Sequence, residues 1–249
     1  MKRDLRLFPS AGDLALGSAE MIVEYLNEDI HRLGSASFVL SGGLTPRTVY
    51  DMLASPSLVS KVDWSRVHLF WGDERCVPSN APESNYRMAE ESLLGNLALP
   101  DRNIHRIHTE HPPQIAATEY ETEIRAHFGL RAKELPEFTV VLLGLGPEGH
   151  TASLFPGSSA VAEKARLVMV VYVEVLQASR ITLTLPVINN ARTILFLVSG
   201  RAKAGILREV LEDDTPRYPA QLVQPTNGRL FWCVDAEAAS VLLKGAMDQ

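Results

Sequence analysis

Cysteine is nearly absent from this 249-residue chain, which carries only Cys76 and Cys233. Two thiols without C-x-x-C spacing exclude a disulfide framework and a thiolate metal centre, and they fit a reducing compartment. Long apolar runs are missing too: no stretch approaches the roughly 18 residues of a membrane span. The opening Met1-Lys2-Arg3-Asp4-Leu5-Arg6 has no apolar signal core. The chain therefore reads as soluble and cytoplasmic, without a membrane partner. It also lacks a basic excess, with 24 Lys and Arg against 30 Asp and Glu for a net charge of −6. That balance argues against nucleic acid as the main partner but leaves room for a local basic pocket. Linkers, repeats and low-complexity tracts are absent as well, so one domain over residues 1–249 is expected. The oligomeric state, monomer or homodimer, stays open.

What the chain does have is alternation. Short apolar runs rich in β-branched residues, at Ser37–Leu40, Val67–Trp71, Phe138–Leu143, Leu167–Val173, Thr193–Val198 and Leu230–Val234, are separated by helix-like segments. The helices expected are Gly12–Leu33, Pro46–Ala54, Ser84–Leu94, Pro113–Phe128, Ala202–Leu211 and Ala236–Lys244. This order predicts an α/β fold with a mostly parallel sheet covered on both faces. Ligands of such sheets sit beyond the carboxyl ends of the strands. Three of those ends carry unusual chemistry.

The first continues as Ser41-Gly42-Gly43-Leu44-Thr45-Pro46. Thr45 suits an N-cap and Pro46 a first helical residue. Two glycines before a helix start let backbone amides approach an anion such as phosphate. An ordinary capped turn would look the same. After the second end come Asp73-Glu74-Arg75-Cys76. Arg75 can pair with a phosphate and Asp73 can hold a sugar hydroxyl or orient a histidine, although such runs are often solvated loops. The third end is Gly144-Leu145-Gly146-Pro147-Glu148-Gly149-His150. It satisfies G-x-G-x-x-G, the dinucleotide fingerprint. Its place past mid-chain, and a carboxylate where a pyrophosphate would lie, argue against that reading. His150, at an expected helix start whose dipole disfavours the imidazolium, is instead a candidate general base. Further on, Lys203 lies at the start of a helix, where a cation opposes the dipole unless an anion shares the site; a surface lysine is the simpler alternative.

Together, Ser41–Pro46, Trp71–Arg75, Gly144–Gly157, Arg180–Pro186 and Pro219–Val223 resemble the glucosamine-6-phosphate isomerase/6-phosphogluconolactonase family, on its lactonase branch. The resemblance implies a three-layer α/β/α structure of modified Rossmann topology. It implies hydrolysis of the sugar-phosphate lactone 6-phospho-D-glucono-1,5-lactone to 6-phosphogluconate, in the pentose phosphate pathway, without metal or organic cofactor. By position, His150 would be the base, with Gly42, Gly43, Thr45, Arg75 and Lys203 around the phosphate. Asp73 would orient either His150 or the sugar, and Arg180 would touch substrate or brace the site. The chain departs from the family pattern at Leu44, at Glu148, where aspartate is commoner, and over Val175–Ser179. An amino-sugar deaminase or aldose–ketose isomerase on the same fold, and a non-catalytic sugar-phosphate sensor, are the alternatives. The deaminases typically continue into Phe-Asn-Glu-Pro, whereas Ser153-Leu154-Phe155-Pro156 has no carboxylate.

Overall fold

The computed structural model describes residues 4–174, 177–213 and 215–243. In chain order its elements are β1 (Asp4–Phe8), α1 (Ala11–Leu33), β2 (Ala36–Leu40), α2 (Leu44–Leu53), β3 (Val67–Trp71), β4 (Asp73–Arg75), α3 (Asn85–Ser92), β5 (Ile104–His105) and α4 (Pro113–Phe128). Then follow β6 (Val140–Gly144), α5 (Ser159–Ala162), β7 (Val168–Val173), β8 (Ala178–Leu183), α6 (Leu185–Asn189), β9 (Thr193–Val198), α7 (Ala204–Glu212) and β10 (Arg229–Asp235).

Seven strands form a parallel sheet in the order β1-β10-β9-β6-β2-β3-β5. Every residue of β2 and β9 is buried, as strands with helices on both faces must be, and this gives the α/β/α layering. Chain direction across the sheet diverges at β2 and β6: β2 leads to β3 on one side and β6 leads to β9 on the other. A crevice opens at such a switch point.

The expected strand at Leu167–Val173 forms as β7 but lies outside the parallel sheet. It pairs antiparallel with β8, and β8 with β4, in a second sheet of order β4-β8-β7. The charged triplet Asp73–Arg75 is thus a strand rather than a loop, and the Arg180 block is itself a strand. Gly72 joins the two sheets, its N–H donating to Leu40 O and its carbonyl accepting from Leu183 N.

Two buried tyrosines fix the strand ends that face the crevice. Tyr50 Oη accepts from Ser41 N at 2.8 Å and donates to Ser41 O at 2.9 Å, closing β2. Tyr120 does the same for β3 at Trp71, with both contacts at 2.9 Å. Elsewhere in the core, Trp232 of β10 stacks on its cross-strand partner Phe196 of β9, ring centroids 3.9 Å apart and planes 1° from parallel. Trp232→Ala is expected to lower stability by about 3–5 kcal/mol, the cost of an emptied aromatic site, read as a shift in the denaturant midpoint. An unchanged midpoint would refute this placement.

Two helix expectations fail. Residues 236–241 form turns, held by mainly i→i+3 contacts and by Ala238 N donating to Asp235 Oδ1 at 2.8 Å; the expected end at Lys244 lies outside the described residues, as do Val175 and Leu176. Nor does a helix start at His150. The chain turns through residues 151–158, with Ala152 at a φ of 48°, and the next helix is the short α5. A left-handed residue breaks a helix, so the dipole argument for His150 has no basis.

Candidate active site

The carboxyl ends of β2, β3, β6 and β9, with the edge of the small sheet, enclose an open cleft of ≈ 220 Å³. Ser41 and Gly42 line it from β2, Gly144, Gly146 and His150 from β6, and Lys203 from the turn after β9. Asp73, Arg75 and Arg180 enter from the small sheet. The three strand ends singled out in the sequence therefore meet in one place.

Alternation along β4 sorts its three charges. Asp73 and Arg75 face the cleft, whereas Glu74 is buried on the other side and binds the start of α3. Its carboxylate accepts from Asn85 N and Tyr86 N, both at 2.8 Å, and from Ser84 Oγ at 3.2 Å. Burial raises the Glu74 pKa, and these donors pull it down. Asp73 Oδ2 accepts from Ser153 Oγ at 2.6 Å, which ties the His150 loop to β4. Asp73 makes no hydrogen bond to His150.

Arg75 and Arg180 are direct cross-strand partners. Like charges opposite each other destabilise a sheet unless something of the other sign joins them. Neither forms an ion pair with a described residue, and neither does Lys203. Arg75 Nε is buried without a hydrogen-bond partner, while its Nη1 donates to Glu83 O. Burial and the Arg75 charge both lower the Arg180 pKa, and Asp73 opposes them. Three cations crowd one cleft of a net acidic chain. Asp73 is the one carboxylate among the residues that line the cleft.

The start of α2 adds donors. Its N-cap is Gly43, at a φ of 107° and without a side-chain cap bond, so Thr45 is the second helical residue rather than the cap. Among the described residues, the amides of Gly42, Gly43, Leu44 and Thr45 have no acceptor. Free amides at a helix start attract a phosphate. The Thr45 side chain does not line the cleft, and Gly43 opens on the adjoining depression beside Arg47. Gly42 has a second reason to be glycine: a Cβ there would come 2.0 Å from Asn85 Oδ1.

His150 enters the cleft from the turn after β6. Burial pushes its imidazole below the ordinary value of 6.5, against Glu148 and Asp73, which raise it. Glu148 Oε2 lies 3.1 Å from Nδ1, but off the hydrogen-bond direction, so Nδ1 has no hydrogen-bond partner. The ring packs on Phe155, centroids 4.4 Å apart, and Arg180 covers the same phenyl at 5.6 Å. It also presses against Gly146, where a Cβ would lie 2.1 Å from both Cε1 and Nδ1. Of the fingerprint glycines, Gly146 makes room for the imidazole and Gly149 for the Tyr218 ring, whereas a Cβ at Gly144 would meet nothing within 4 Å.

The chain matches, over residues 9–232, the model of the glucosamine-6-phosphate isomerases/6-phosphogluconolactonase family. The chain belongs to this family. Among its curated members, a 6-phosphogluconolactonase of Synechocystis is 40% identical over 221 residues, covering 87% of this chain and 89% of the relative. One from Nostoc is 36% identical over 97% of this chain and 99% of the relative. The solved 6-phosphogluconolactonase of Trypanosoma brucei superposes with a TM-score of 0.87 at 28% identity, covering 97% of this chain and 99% of that one. A monomeric glucosamine-6-phosphate deaminase superposes with a TM-score of 0.80 at 20% identity, a likeness of fold alone.

Within this family member, two buried residues that hold Asp73 escape sequence reasoning. Asn85 donates through Nδ2 to Asp73 O at 2.8 Å, and Ser153 holds the Asp73 carboxylate. Ser84-Asn85 signals a helix start, which hides a side chain that reaches back 12 residues to β4. Nothing local marks Ser153, whose partner is 80 residues away.

Proposed function

We propose that this chain hydrolyses 6-phospho-D-glucono-1,5-lactone to 6-phosphogluconate, the lactonase step of the pentose phosphate pathway, as a cytoplasmic enzyme. The observation that carries the proposal is the Arg75–Arg180 cross-strand couple, without an ion pair among the described residues, beside a partly buried histidine whose pKa burial lowers. The couple calls for an anionic substrate, and the histidine supplies a base. The names of the relatives point to the same reaction.

In this reading the phosphate rests on the free amides of residues 42–45, with Arg75 and Lys203 beside it. Docking there holds the lactone carbonyl near His150, which trades translational freedom for position. His150 takes a proton from water as the water oxygen bonds to C1. Arg180 stands beside the developing oxyanion, where a fixed cation stabilises charge without reorganisation. Collapse of the adduct breaks the bond from C1 to the ring oxygen. The imidazolium returns its proton to that oxygen, and the new carboxyl group ionises. Asp73, fixed by Ser153 and Asn85, holds a sugar hydroxyl.

The test is a coupled assay that generates the lactone in situ, with spontaneous hydrolysis subtracted. Arg75→Ala and Lys203→Ala are each expected to raise KM for the phosphorylated lactone by about tenfold or more, the scale of one charge-assisted contact. Turnover of unphosphorylated gluconolactone should change far less. Equal losses on both substrates would place the two cations elsewhere in the reaction. Binding without turnover would leave a sensor.

A further inference from the structure

Three histidines outside the cleft converge near the amino-terminal end of β3. His68 is the second residue of β3, His105 the last of β5 and His127 the penultimate residue of α4. One nitrogen from each lies within 4.8 Å of the other two. His68 Nδ1 is 3.0 Å from His105 Nε2, and the His127 ring centroid lies 4.4 Å from that of His68 and 4.9 Å from that of His105.

The far side of this cluster is organised as well. His105 Nδ1 lies 2.7 Å from Glu123 Oε1, one helical turn before His127 on α4. A carboxylate on the back nitrogen fixes the tautomer and leaves the front nitrogen's lone pair facing the cluster, the usual support of a metal-binding imidazole. Phe70 stacks on His105 at 4.3 Å with planes 9° apart, which holds the ring in place. His127 has no hydrogen-bond partner among the described residues, although burial keeps it neutral by pushing it down to about 4. Burial also lowers His68, helped by the charges of His105 and Arg102.

We propose that His68, His105 and His127 form a binding site for one divalent first-row transition ion of the Zn²⁺ class, with Glu123 as the positioning residue behind His105. Neutral imidazoles suit Zn²⁺, Cu²⁺ or Ni²⁺ and discriminate against Mg²⁺ and Ca²⁺. Zn–N bonds of about 2.0–2.1 Å in a tetrahedral site place neighbouring nitrogens about 3.3–3.4 Å apart. The His68–His105 pair must therefore open by a few tenths of an ångström, and the hydrogen the two rings share moves to Nε2 of His68. A fourth position is left for water. The bound ion would clip the two-residue strand β5 and the end of α4 to β3. Arg102 is the opposing charge at the site, and Glu123 the favourable one.

The experiment uses the full chain, stripped with a chelator, and titrates Zn²⁺ by calorimetry and Co²⁺ by visible absorption. Expected are one ion per chain, a tetrahedral Co²⁺ spectrum, and a melting temperature that rises with Zn²⁺. His68→Gln with His127→Gln should abolish binding, and Glu123→Gln should weaken it about 10–100-fold. His150→Asn should bind as tightly as the parent chain. No stoichiometric binding, binding that survives the double substitution, or binding lost in His150→Asn would each overturn the assignment. If the double variant does not fold, the Glu123→Gln affinity and the Co²⁺ spectrum of the parent chain decide.

Discussion

Replacing His150 by asparagine is expected to lower kcat on 6-phospho-D-glucono-1,5-lactone by about 10²–10⁴, the worth of a general base. KM should move little, because the phosphate contacts come from other residues. Asparagine keeps a hydrogen-bonding group of similar reach but cannot take a proton. The parent enzyme's pH profile carries the same information. Burial holds the His150 pKa below 6.5, so the neutral ring predominates at physiological pH. Activity should be flat through neutrality and fall as pH drops through the folded-state value, with the acid limb of kcat/KM lying below 6.5. A limb above that value, or near-normal kcat in His150→Asn, would remove His150 from the role of base.

Gly146→Ala is expected to cost nearly as much, although residue 146 makes no side-chain contact in the reaction. The added methyl would overlap the imidazole at 2.1 Å, and the ring has Phe155 on its other flank. His150 must then swing out of position, and a displacement of about 1 Å can cost 10²-fold in rate. Because both changes disable one group, the double variant Gly146→Ala/His150→Asn should be scarcely worse than His150→Asn alone. Single-turnover kinetics on the three variants, with melting temperatures to confirm folding, check this. Additive losses would show that Gly146 acts on something other than His150.

The parallel sheet was legible because its strands are short, mostly apolar runs: Thr193–Val198 and Val67–Trp71, the latter interrupted by His68, are expected and observed with the same bounds. The edge strands were not. Asp4-Leu5-Arg6-Leu7-Phe8 alternates charge with leucine at the rim of the sheet, and Ile104–His105 is too short to show a period. The small sheet hid for a different reason. Asp73-Glu74-Arg75 and Ala178-Ser179-Arg180 have loop-like composition, and antiparallel pairing makes them strands, β4 with β8 across more than 100 residues and β8 with its neighbour β7. The glycine turn was legible as a presenter of His150, but its backbone was not: the left-handed Ala152 and the sideways bonds of Ser153 replace the expected helix. His150 is therefore neutral by burial, with no helix end behind it. The phosphate side was half legible. Gly42, Arg75 and Arg180 were named from the sequence, while the place of Arg180 directly opposite Arg75 needed the ladder to be seen.

The central claim is that this cleft opens a phosphorylated lactone ring. The measurement that tests it most directly follows 6-phospho-D-glucono-1,5-lactone by NMR at neutral pH, with and without the purified chain, beside a parallel assay for ammonia from glucosamine-6-phosphate. The account predicts rapid conversion of the lactone to 6-phosphogluconate, far ahead of spontaneous hydrolysis, and no ammonia. Lactone decay at the spontaneous rate, or ammonia release, would contradict it.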